Sequence, residues 1–555
     1  MKKQLIWLFL IFCLALFLRL IWLETLPGTF FVDEVLSGYL GRYLWENGVD
    51  LYGNPRPLLY FNKFGDYYII LPMWLDGLST FVFGVTRFAT RFPTALIGAL
   101  AVFPLFGIAR RVFGKPTVGY LSALLLAIMP WHIVLSRATT ESVIELTLIL
   151  CSVWLLLKSN ESKKPWGWLV GAVIVSVLSY FVYHTARITI PLLWLGFSTI
   201  YHWPFKPFKK ISFILIGVTV GFFLLTFAIG KTEWGAGRFS QTSIFGEQSG
   251  VAPRMQELTA NLGQNHILMA RIFHNKVVGF GREFINQYIV YFSPTYLFSP
   301  ISWARTRYAV PELGLVYLAI IPMLAVYLFP TTRRWAINRK ALLLVLWWLL
   351  VAPLPAALTV IESPNIRRSV ALLAPLLILA AGGWFTSFSI SWKLPIVKKT
   401  SLGLLLSALL LMEAVYFGYA YTKHSDLVNA LHRNDVLPEI TNHIIQNYDS
   451  YDAFYVTDAT DYPLYYVFRR QDFSLDLSRQ FQFGLAIESM GKVHPIVEKC
   501  AGEIPNFHTV PENSLFYQPS WCQYEARQFL LQGEIHGVNA SNKFTVLKKN
   551  TEVSP

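Results

Sequence analysis

Apolar runs long enough to cross a lipid bilayer recur along the chain, and they constrain its fold more than any other feature. A spanning helix needs about 20 predominantly apolar residues. The first run follows Met-Lys-Lys and lacks a small-residue cleavage site, so we expect it to be retained as a signal anchor. We predict eleven spans, at residues 5–23, 94–113, 117–136, 139–157, 166–183, 188–203, 211–230, 312–329, 341–360, 369–390 and 400–421.

The composition and the charge pattern agree with a polytopic membrane protein. Charged residues make up only 14% of the chain, against about 25% in soluble domains. The net charge of +14 does not indicate nucleic-acid binding, because six short segments hold 18 of the 47 Lys and Arg with a single acid, Glu161. If the chain crosses the membrane eleven times and its N-terminus is in the cytoplasm, all six basic segments lie on the cytoplasmic side, as the positive-inside rule requires. These segments are 2–3, 110–115, 158–164, 206–210, 333–340 and 393–399.

This topology places the first loop, 24–93, outside the cytoplasm, together with the long segment 231–311 and the short stretches 136–141, 184–187 and 362–368. The first loop is too long and too apolar to be a plain connector. Its pattern predicts a helix over 35–45 and an amphipathic segment over 67–83 that lies in the membrane interface.

The composition changes after residue 424, where no further run could span a membrane. Residues 1–424 are therefore predicted to form an all-α transmembrane domain, and residues 425–555 a small extracytoplasmic α/β domain. A helix is expected over 435–447 and strands over 453–457 and 544–547. Cys500 and Cys522 lie in this second domain and could form a disulfide in an oxidising compartment.

Two adjacent carboxylates, Asp33 and Glu34, stand where the first span meets water. Ionisable groups at that depth are costly and usually have a function or a partner. We interpret Asp33 as a catalytic base, with Glu34 beside it. The alternative is that Asp33 caps a helix running from Glu34 to about residue 45, with Glu34 in the favourable first turn. The two interpretations are compatible.

Further charged residues lie near the outer ends of the predicted spans. Carboxylates and basic residues together suit the transfer of a group from an anionic donor. A carboxylate accepts the proton of an attacking hydroxyl, while Arg or Lys binds the leaving phosphate. Phosphate is a good leaving group, so one base suffices and no general acid is needed. The candidate substrate-binding residues are Lys63, Arg137, Glu141, His184, Arg187, Arg367 and Arg368.

Each of these residues also has a purely structural interpretation. Arg137 and Arg187 could be snorkelling anchors, and Glu141 could pair with Arg137 one helical turn away. Lys63 could be a solvated loop residue, His184 a structural hydrogen-bonding group, and Arg367-Arg368 a mere flank of the tenth span. The outer location of the last pair runs against the positive-inside bias, which favours a function for it.

The sequence contains no P-loop and no Gly-rich turn between a strand and a helix, so no nucleotide-sugar or ATP site is predicted. An activated donor would therefore be carried by the membrane. No convincing zinc spacing is present, although a divalent metal stays an open alternative. Two rival functions are a lipid or solute transporter, which usually has inverted repeats that are not found here, and a membrane scaffold with a partner-binding C-terminal domain.

Several motifs, taken together and in order, resemble the GT-C membrane glycosyltransferases, specifically their protein O-mannosyltransferase and aminoarabinose-transferase branch (glycosyltransferase family 39). The resemblance covers about residues 1–425. It is carried by Phe-Val-Asp33-Glu34, Gly-Val-Asp-Leu-Tyr-Gly, the Lys63 segment, Phe-Gly-Val-Thr-Arg-Phe-Ala-Thr-Arg91-Phe-Pro-Thr-Ala-Leu, Ala-Arg-Arg-Val-Phe-Gly and Ser136-Arg137-Ala-Thr-Thr-Glu141.

The resemblance implies inverting transfer of a sugar from a polyprenyl or dolichyl monophosphate to an acceptor outside the cytoplasm, which could be a protein, a lipid or a glycan. It implies that Asp33 is the base and that Lys63 and Arg367 or Arg368 contact the donor phosphate. Two positions depart from the family pattern, since Glu141 stands where relatives often have Asp and Lys63-Phe-Gly where some have Lys-Pro-Pro. The C-terminal domain differs from the lumenal modules of eukaryotic protein mannosyltransferases.

Overall fold

The fold is mostly helical, with a small sheet near its C-terminal end. It is given by a computed structural model. The residues that it describes are 2–28, 30–63, 66–202, 210–262, 266–302, 308–328, 338–388, 401–429, 436–458, 462–471, 473, 489–505, 507–537 and 543–550. The predicted basic segment 393–399 lies outside these residues, as do most of 206–210 and 333–340.

The apolar runs form helices that pack into one extensive core. Within the described residues, six helices are long and apolar enough to cross a membrane, or seven if one bent pair counts as a single span. The helices of this part are α1 Lys2–Leu20, α2 Val32–Asn47, α3 Ile70–Phe83, α4 Arg87–Leu100, α5 Val102–Phe113, α6 Pro116–Ile128, α7 Pro130–Ser136, α8 Glu141–Glu161, α9 Trp166–Tyr180, α10 Ala186–His202 and α11 Lys210–Gly230.

The helices that follow include several short ones. They are α12 Glu233–Thr242, α13 Val251–Leu262, α14 Ile267–Phe273, α15 Lys276–Val290, α16 Pro294–Phe298, α17 Ile320–Ala325, α18 Arg339–Val351, α19 Leu354–Ala357, α20 Leu373–Ser387, α21 Ser401–Lys423 and α22 Ser425–Asn429. Helices α12 to α16 occupy the segment 231–311, which the sequence predicted as an outer loop. The predicted span 312–329 is wrong over its first half, where turns precede the short α17.

The predicted span 117–136 is also not one helix, because α6 and α7 meet at a 55° bend. Pro130 has no N–H and disfavours the helical conformation of Met129, which is extended with ψ at 125°. The Arg19 guanidinium compensates for the break by donating to the carbonyls of Leu126 and Ala127, both at 3.1 Å. Backbone groups freed within a membrane need such partners.

The first loop is folded and not a simple connector. The helix predicted at 35–45 is confirmed and extends over the whole of α2. The segment predicted as one amphipathic run, 67–83, instead begins in a hairpin of β1 Tyr60–Lys63 and β2 Asp66–Ile69, which pair antiparallel, and α3 starts only at Ile70. Helices α2 and α3 pack tightly, and both contact α4.

The C-terminal region forms a five-stranded mixed sheet in the order β4-β3-β5-β7-β6. The predicted helix and both predicted strands are present, and the Cys500–Cys522 disulfide is formed. Strand β3 is parallel to β4 and β5, whereas β7 is antiparallel to β5 and β6. The elements are α23 Leu437–Asn447, β3 Ala453–Val456, α24 Tyr462–Arg470, β4 Val493–Pro495, β5 Ser514–Pro519, β6 Phe529–His536 and β7 Lys543–Lys549.

One hydrophobic core joins this sheet to the first loop. It contains Val35, Leu36 and Tyr39 of α2 together with Tyr465 of α24 and Phe454 of β3. The helix that carries Asp33 and Glu34 therefore lies between the membrane helices and the C-terminal domain, and both position it.

Candidate active site

Helix α2 begins at Val32, three residues before the predicted helix 35–45 and two before the Glu34 start of the capping alternative. Phe31 is its N-cap and Asp33 lies within the first turn, so the alternative that Asp33 is the cap is wrong. The neighbouring carboxylate completes the cap from the third helical position, because Glu34 Oε2 accepts a hydrogen bond from the Phe31 N–H at 3.1 Å. A Glu at the third helical position often satisfies the N-cap amide in this way.

Glu34 is also half of a buried ion pair with Arg91 of α4. Arg91 Nε lies 2.9 Å from Glu34 Oε1, and Nη2 lies 3.2 Å from Oε2, which makes the pair bidentate. The Arg91 side chain is fully buried, and its Nη1 also donates to the carbonyls of Leu23 and Pro27. The pair therefore fixes the start of α2 against α4 and against the end of the first helix.

Asp33 points to a different place from Glu34, a cavity of about 510 Å³ between the first loop and the membrane helices. This volume suits a small-molecule ligand. Six of the residues that the sequence selected line the cavity, namely Asp33, Glu141, His184, Arg187, Arg367 and Arg368. The other lining residues are Leu36, Ser37, Ile69, Pro72, Met73, Thr139, Val182, Tyr183, Thr185, Ile188, Thr226, Ile229, Gly230, Gly235, Thr242, Pro355 and Thr359.

Glu34 and Arg137 are not among the lining residues, and Arg137 is bound to backbone. Its guanidinium donates to the carbonyls of Leu18, Ile21 and Leu26 at 2.7 to 2.8 Å. Arg137 therefore fixes the end of α1 to α7. Lys63 is in β1, opposite Asp66 in the hairpin, and its side chain lies outside the described part of the structure.

The Arg367-Arg368 pair is held in a loop that Asn365 organises. The side-chain oxygen of Asn365 accepts the backbone N–H groups of both arginines at 3.0 Å. Arg367 Nη2 lies 3.1 Å from Glu362 Oε2, while Arg368 Nη1 donates to the hydroxyl of Thr359 and the carbonyl of Ile361. Both side chains reach the cavity while keeping these protein partners.

Sequence reasoning did not select Asp76 of α3, which is buried near the carboxylates. Its Oδ2 accepts a hydrogen bond of 2.5 Å from Ser37, a cavity-lining residue one helical turn after Asp33. Burial raises the pKa of Asp76 well above its usual range, an effect that the Ser37 hydrogen bond opposes and that the charges of Glu141 and Glu34 increase. Asp76 stands in an otherwise apolar helix, and that contrast was the signal that could have identified it.

Glu145 and Tyr183 are two further groups at the cavity that were not selected. Glu145 lies one turn after Glu141, and its two carboxylate oxygens lie 2.6 and 2.7 Å from the donating hydroxyl of the lining residue Thr185. Tyr183 lines the cavity and is close enough to Arg367 and Arg368 to interact with their charges. The cavity wall thus contains both carboxylates and arginines.

Within the described part of the chain, no group of three or more His, Cys, Asp or Glu side chains could hold a metal ion. What the cavity brings together is a carboxylate near the first span, a second carboxylate on α8, and three arginines from later in the chain. This arrangement can bind an anion and accept a proton from a neutral ligand.

Comparison with known proteins identifies relatives of this fold. Residues 70–228 match the family described as dolichyl-phosphate-mannose-protein mannosyltransferase. The structure of ArnT from Cupriavidus metallidurans bound to undecaprenyl phosphate matches over 99% of both chains, with a TM-score of 0.52 and 15% identity. This is a GT-C fold. The resemblance read from the sequence motifs is thereby confirmed, and the relatives on which it rests are glycosyltransferases.

The matching solved structures include two others. ArnT from the same organism in the apo state matches over 99% of both chains, with a TM-score of 0.51 and 15% identity. The oligosaccharyltransferase AglB from Archaeoglobus fulgidus, in complex with an inhibitory peptide and a dolichol-phosphate, has a TM-score of 0.46 at 16% identity, covering 85% of this chain and 64% of its own. No curated protein matches this chain in sequence at a significant level.

Proposed function

We propose that this protein is an inverting glycosyltransferase that moves a sugar from a polyprenyl-phosphate carrier to an acceptor hydroxyl. The observation that carries the proposal is the shared cavity, where Asp33 and Glu141 face the same space as Arg187, Arg367 and Arg368. A lipid-linked sugar phosphate supplies the anion for the arginines and an electrophilic carbon for an attacking hydroxyl. The acceptor is a protein, lipid or surface-glycan hydroxyl.

In this mechanism the acceptor oxygen forms a bond to the anomeric carbon while the bond from that carbon to the phosphate oxygen breaks. The electron pair of the broken bond leaves with the lipid phosphate, and the acceptor proton passes to Asp33. Attack from the face opposite the phosphate inverts the anomeric configuration. Lys63 with Arg367 or Arg368 holds the phosphate, and Glu141 and His184 contact the sugar. Glu34 acts indirectly, by fixing through Arg91 the turn that carries Asp33.

The proposal places the protein in the cell membrane, with the N-terminus in the cytoplasm and both the cavity and the C-terminal domain outside. The Cys500–Cys522 disulfide supports this orientation, because disulfides persist in oxidising compartments. A divalent metal stays an open alternative in this mechanism. Assays with and without a chelator test whether one is required.

The proposal is tested by replacing Asp33 with Asn, which keeps the shape and removes the base. Loss of a general base typically costs about 10²- to 10⁴-fold in rate, so sugar transfer or release from a panel of polyprenyl-phosphate sugars should fall by that factor. Glu46→Gln is the matched control, since Glu46 is an exposed carboxylate on the same helix, paired with Arg42.

Folding and lipid binding of the Asp33→Asn protein should stay close to those of the wild type. Turnover close to wild type in this variant would exclude Asp33 as the base. If the wild-type protein binds the lipid-linked sugars and moves them across a vesicle membrane without releasing the sugar, the transporter alternative replaces the transferase.

A further inference from the structure

The α14–α15 segment, residues 267–290, exposes much more apolar surface than a water-facing loop needs. Every large apolar residue of α14 is exposed, with Leu268 at 70%, and Val277 of α15 is 81% exposed. The sequence predicted this segment as part of an outer loop, and neither helix is among the candidate membrane spans of the described residues. Contiguous exposed apolar surface marks a contact with a partner or a membrane.

Helix α15 has its apolar stripe on the outside. Val278, Ile285 and Ile289 are exposed and lie on one face at helical spacing. On the opposite face, Glu283 lies 3.1 Å from Arg254 of the neighbouring α13. A helix that faces water shows the reverse pattern, with its apolar stripe toward the protein. The exposed face of α15 is therefore suited to an apolar surrounding.

Helix α15 also lies against a membrane-spanning helix, well inside the end of that span. The Tyr288 hydroxyl donates to the Leu350 carbonyl of α18 at 2.8 Å. Leu350 stands seven residues before the end of the span Arg339–Ala357, which is about 10 Å along the helix axis. In the proposed orientation this is the outer end. Leu343, Leu346 and Leu350 form an exposed stripe on the span, so the outer face of α15 adjoins a lipid-facing surface at a depth that amphipathic helices reach.

The charged side chains that residues 267–290 expose are all basic, namely Arg271, Lys276 and Arg282. Long basic side chains bury their apolar stems while the charge stays at headgroup level, and anionic headgroups attract them. A second copy of the chain docked symmetrically on this surface would instead bring these cations against each other. The charge of the segment therefore favours an anionic lipid surface.

The inner side of α15 is bonded to the loop 362–368, which contributes to the cavity wall. The Ser363 hydroxyl donates to the side-chain oxygen of Gln287. Just after the helix, the Tyr291 hydroxyl accepts the Asn365 N–H at 3.1 Å. A fixed position of α15 in the membrane would therefore also fix this loop.

We propose that the α14–α15 segment is embedded in the outer leaflet of the membrane and anchors the loop 362–368 to it. Its exposed apolar side chains lie among acyl chains, and Arg271, Lys276 and Arg282 bind anionic headgroups. The partner is the lipid of the bilayer itself and not a sugar donor, so the inference goes beyond the proposed function and does not depend on transfer chemistry.

The test measures quenching of a fluorophore by nitroxide lipids, with the full-length protein in nanodiscs of phosphatidylcholine and phosphatidylglycerol. The fluorophore is attached to single cysteines in a Cys13→Ser/Cys151→Ser background. The test positions are Leu268→Cys and Ile285→Cys. The matched controls are Leu224→Cys, exposed on the spanning helix α11, and Leu531→Cys, exposed in the C-terminal domain.

We expect acyl-chain nitroxides to quench both test labels as strongly as the Leu224 label and to leave the Leu531 label unquenched. At equal mole fraction, headgroup nitroxides on phosphatidylglycerol should quench the Leu268 label more than those on phosphatidylcholine. The triple variant Arg271→Gln/Lys276→Gln/Arg282→Gln should lose that difference. Arg527→Gln, which removes an exposed cation of the C-terminal domain, should retain it.

Anchoring of the loop is measured by hydrogen exchange over residues 362–368. Ile285→Asp places a charge on the lipid-facing stripe and should speed this exchange, whereas Leu531→Asp should not. Because no readout is an activity, the same results are expected in the Asp33→Asn protein, and failure of the proposed function is distinguished from failure of this inference.

Test labels that acyl-chain nitroxides leave unquenched, like the Leu531 label, overturn the proposal. If those labels instead quench one another between two copies, the surface is a contact between copies of the chain. Equal quenching by the two headgroup nitroxides excludes the anionic-lipid contact. Unchanged exchange of the loop in Ile285→Asp excludes the anchoring.

Discussion

At the residue scale, Asp33 and Glu34 show how neighbouring carboxylates acquire different roles. Successive helical residues are separated by about 100° around the axis, so the two side chains leave α2 in different directions. Asp33 reaches the cavity, whereas Glu34 is buried against Arg91. The sequence analysis treated the two as one candidate catalytic pair. In the structure, Asp33 faces the cavity, whereas Glu34 holds the start of the helix.

The Glu34–Arg91 pair should matter for folding more than for chemistry. Replacing Glu34 with Gln leaves the buried Arg91 charge without its partner, which typically costs about 3–5 kcal/mol. We expect a markedly lower melting temperature for Glu34→Gln, partly restored in the double variant Glu34→Gln/Arg91→Met.

The measurement is thermal unfolding in detergent, with Glu46→Gln as the exposed control on the same helix. A Glu34→Gln protein as stable as wild type but without transfer activity would instead assign Glu34 a direct chemical role.

At the element scale, the contact between α2 and α3 defines the wall of the cavity next to Asp33. The two helices meet at Gly41 and Gly77, where small residues allow close backbone approach. A Cβ atom at Gly77 would lie 2.2 Å from the Gly41 carbonyl oxygen. Because that neighbour is backbone, it cannot rotate away. The same contact keeps Ser37 within hydrogen-bonding distance of Asp76.

Gly77→Ala should therefore push α3 away from α2. Overpacking of this kind typically costs about 1–3 kcal/mol, and the displacement should also reduce transfer because Met73 and Ile69 line the cavity. The checks are thermal unfolding and sugar transfer, with Gly221→Ala of α11 as the control, where an added Cβ meets nothing within 4 Å. If Gly77→Ala matches this control in both measurements, the close approach of α2 and α3 is not required.

At the scale of the whole molecule, the C-terminal domain helps to hold the candidate active site in place. The Tyr465 hydroxyl donates to the Phe30 carbonyl at 2.6 Å, and the Phe30 and Phe468 rings lie 5.3 Å apart. The Gly28 N–H donates to Asp426 at 2.8 Å. The segment just before Asp33 is therefore bound by α24 and α22 on one side, and by Arg91 on the other.

Removing the Phe468 ring should loosen this segment. Large-to-small changes at buried Phe positions typically cost about 3–5 kcal/mol. We expect Phe468→Ala to lower the melting temperature and to speed hydrogen exchange in the first turns of α2, with reduced transfer. Val497→Ala, at a position 73% exposed in the same domain, is the control. Unchanged exchange in α2 would show that the C-terminal domain does not stabilise it.

Local sequence patterns determined the class of the protein and the main parts of its site. Apolar runs predict membrane helices because the bilayer selects for length and hydropathy, and the charges at their outer ends include six residues of one cavity. Tertiary structure alone decided which of those charges are available. Arg137 and Glu34 are engaged with groups distant in sequence, and Arg187 retains buried donors. Tertiary structure also accounts for the bend at Pro130, the burial of Asp76 and the core that the first loop shares with the C-terminal domain. The reason is that pairing and burial depend on contacts between distant segments, which hydropathy and periodicity do not encode.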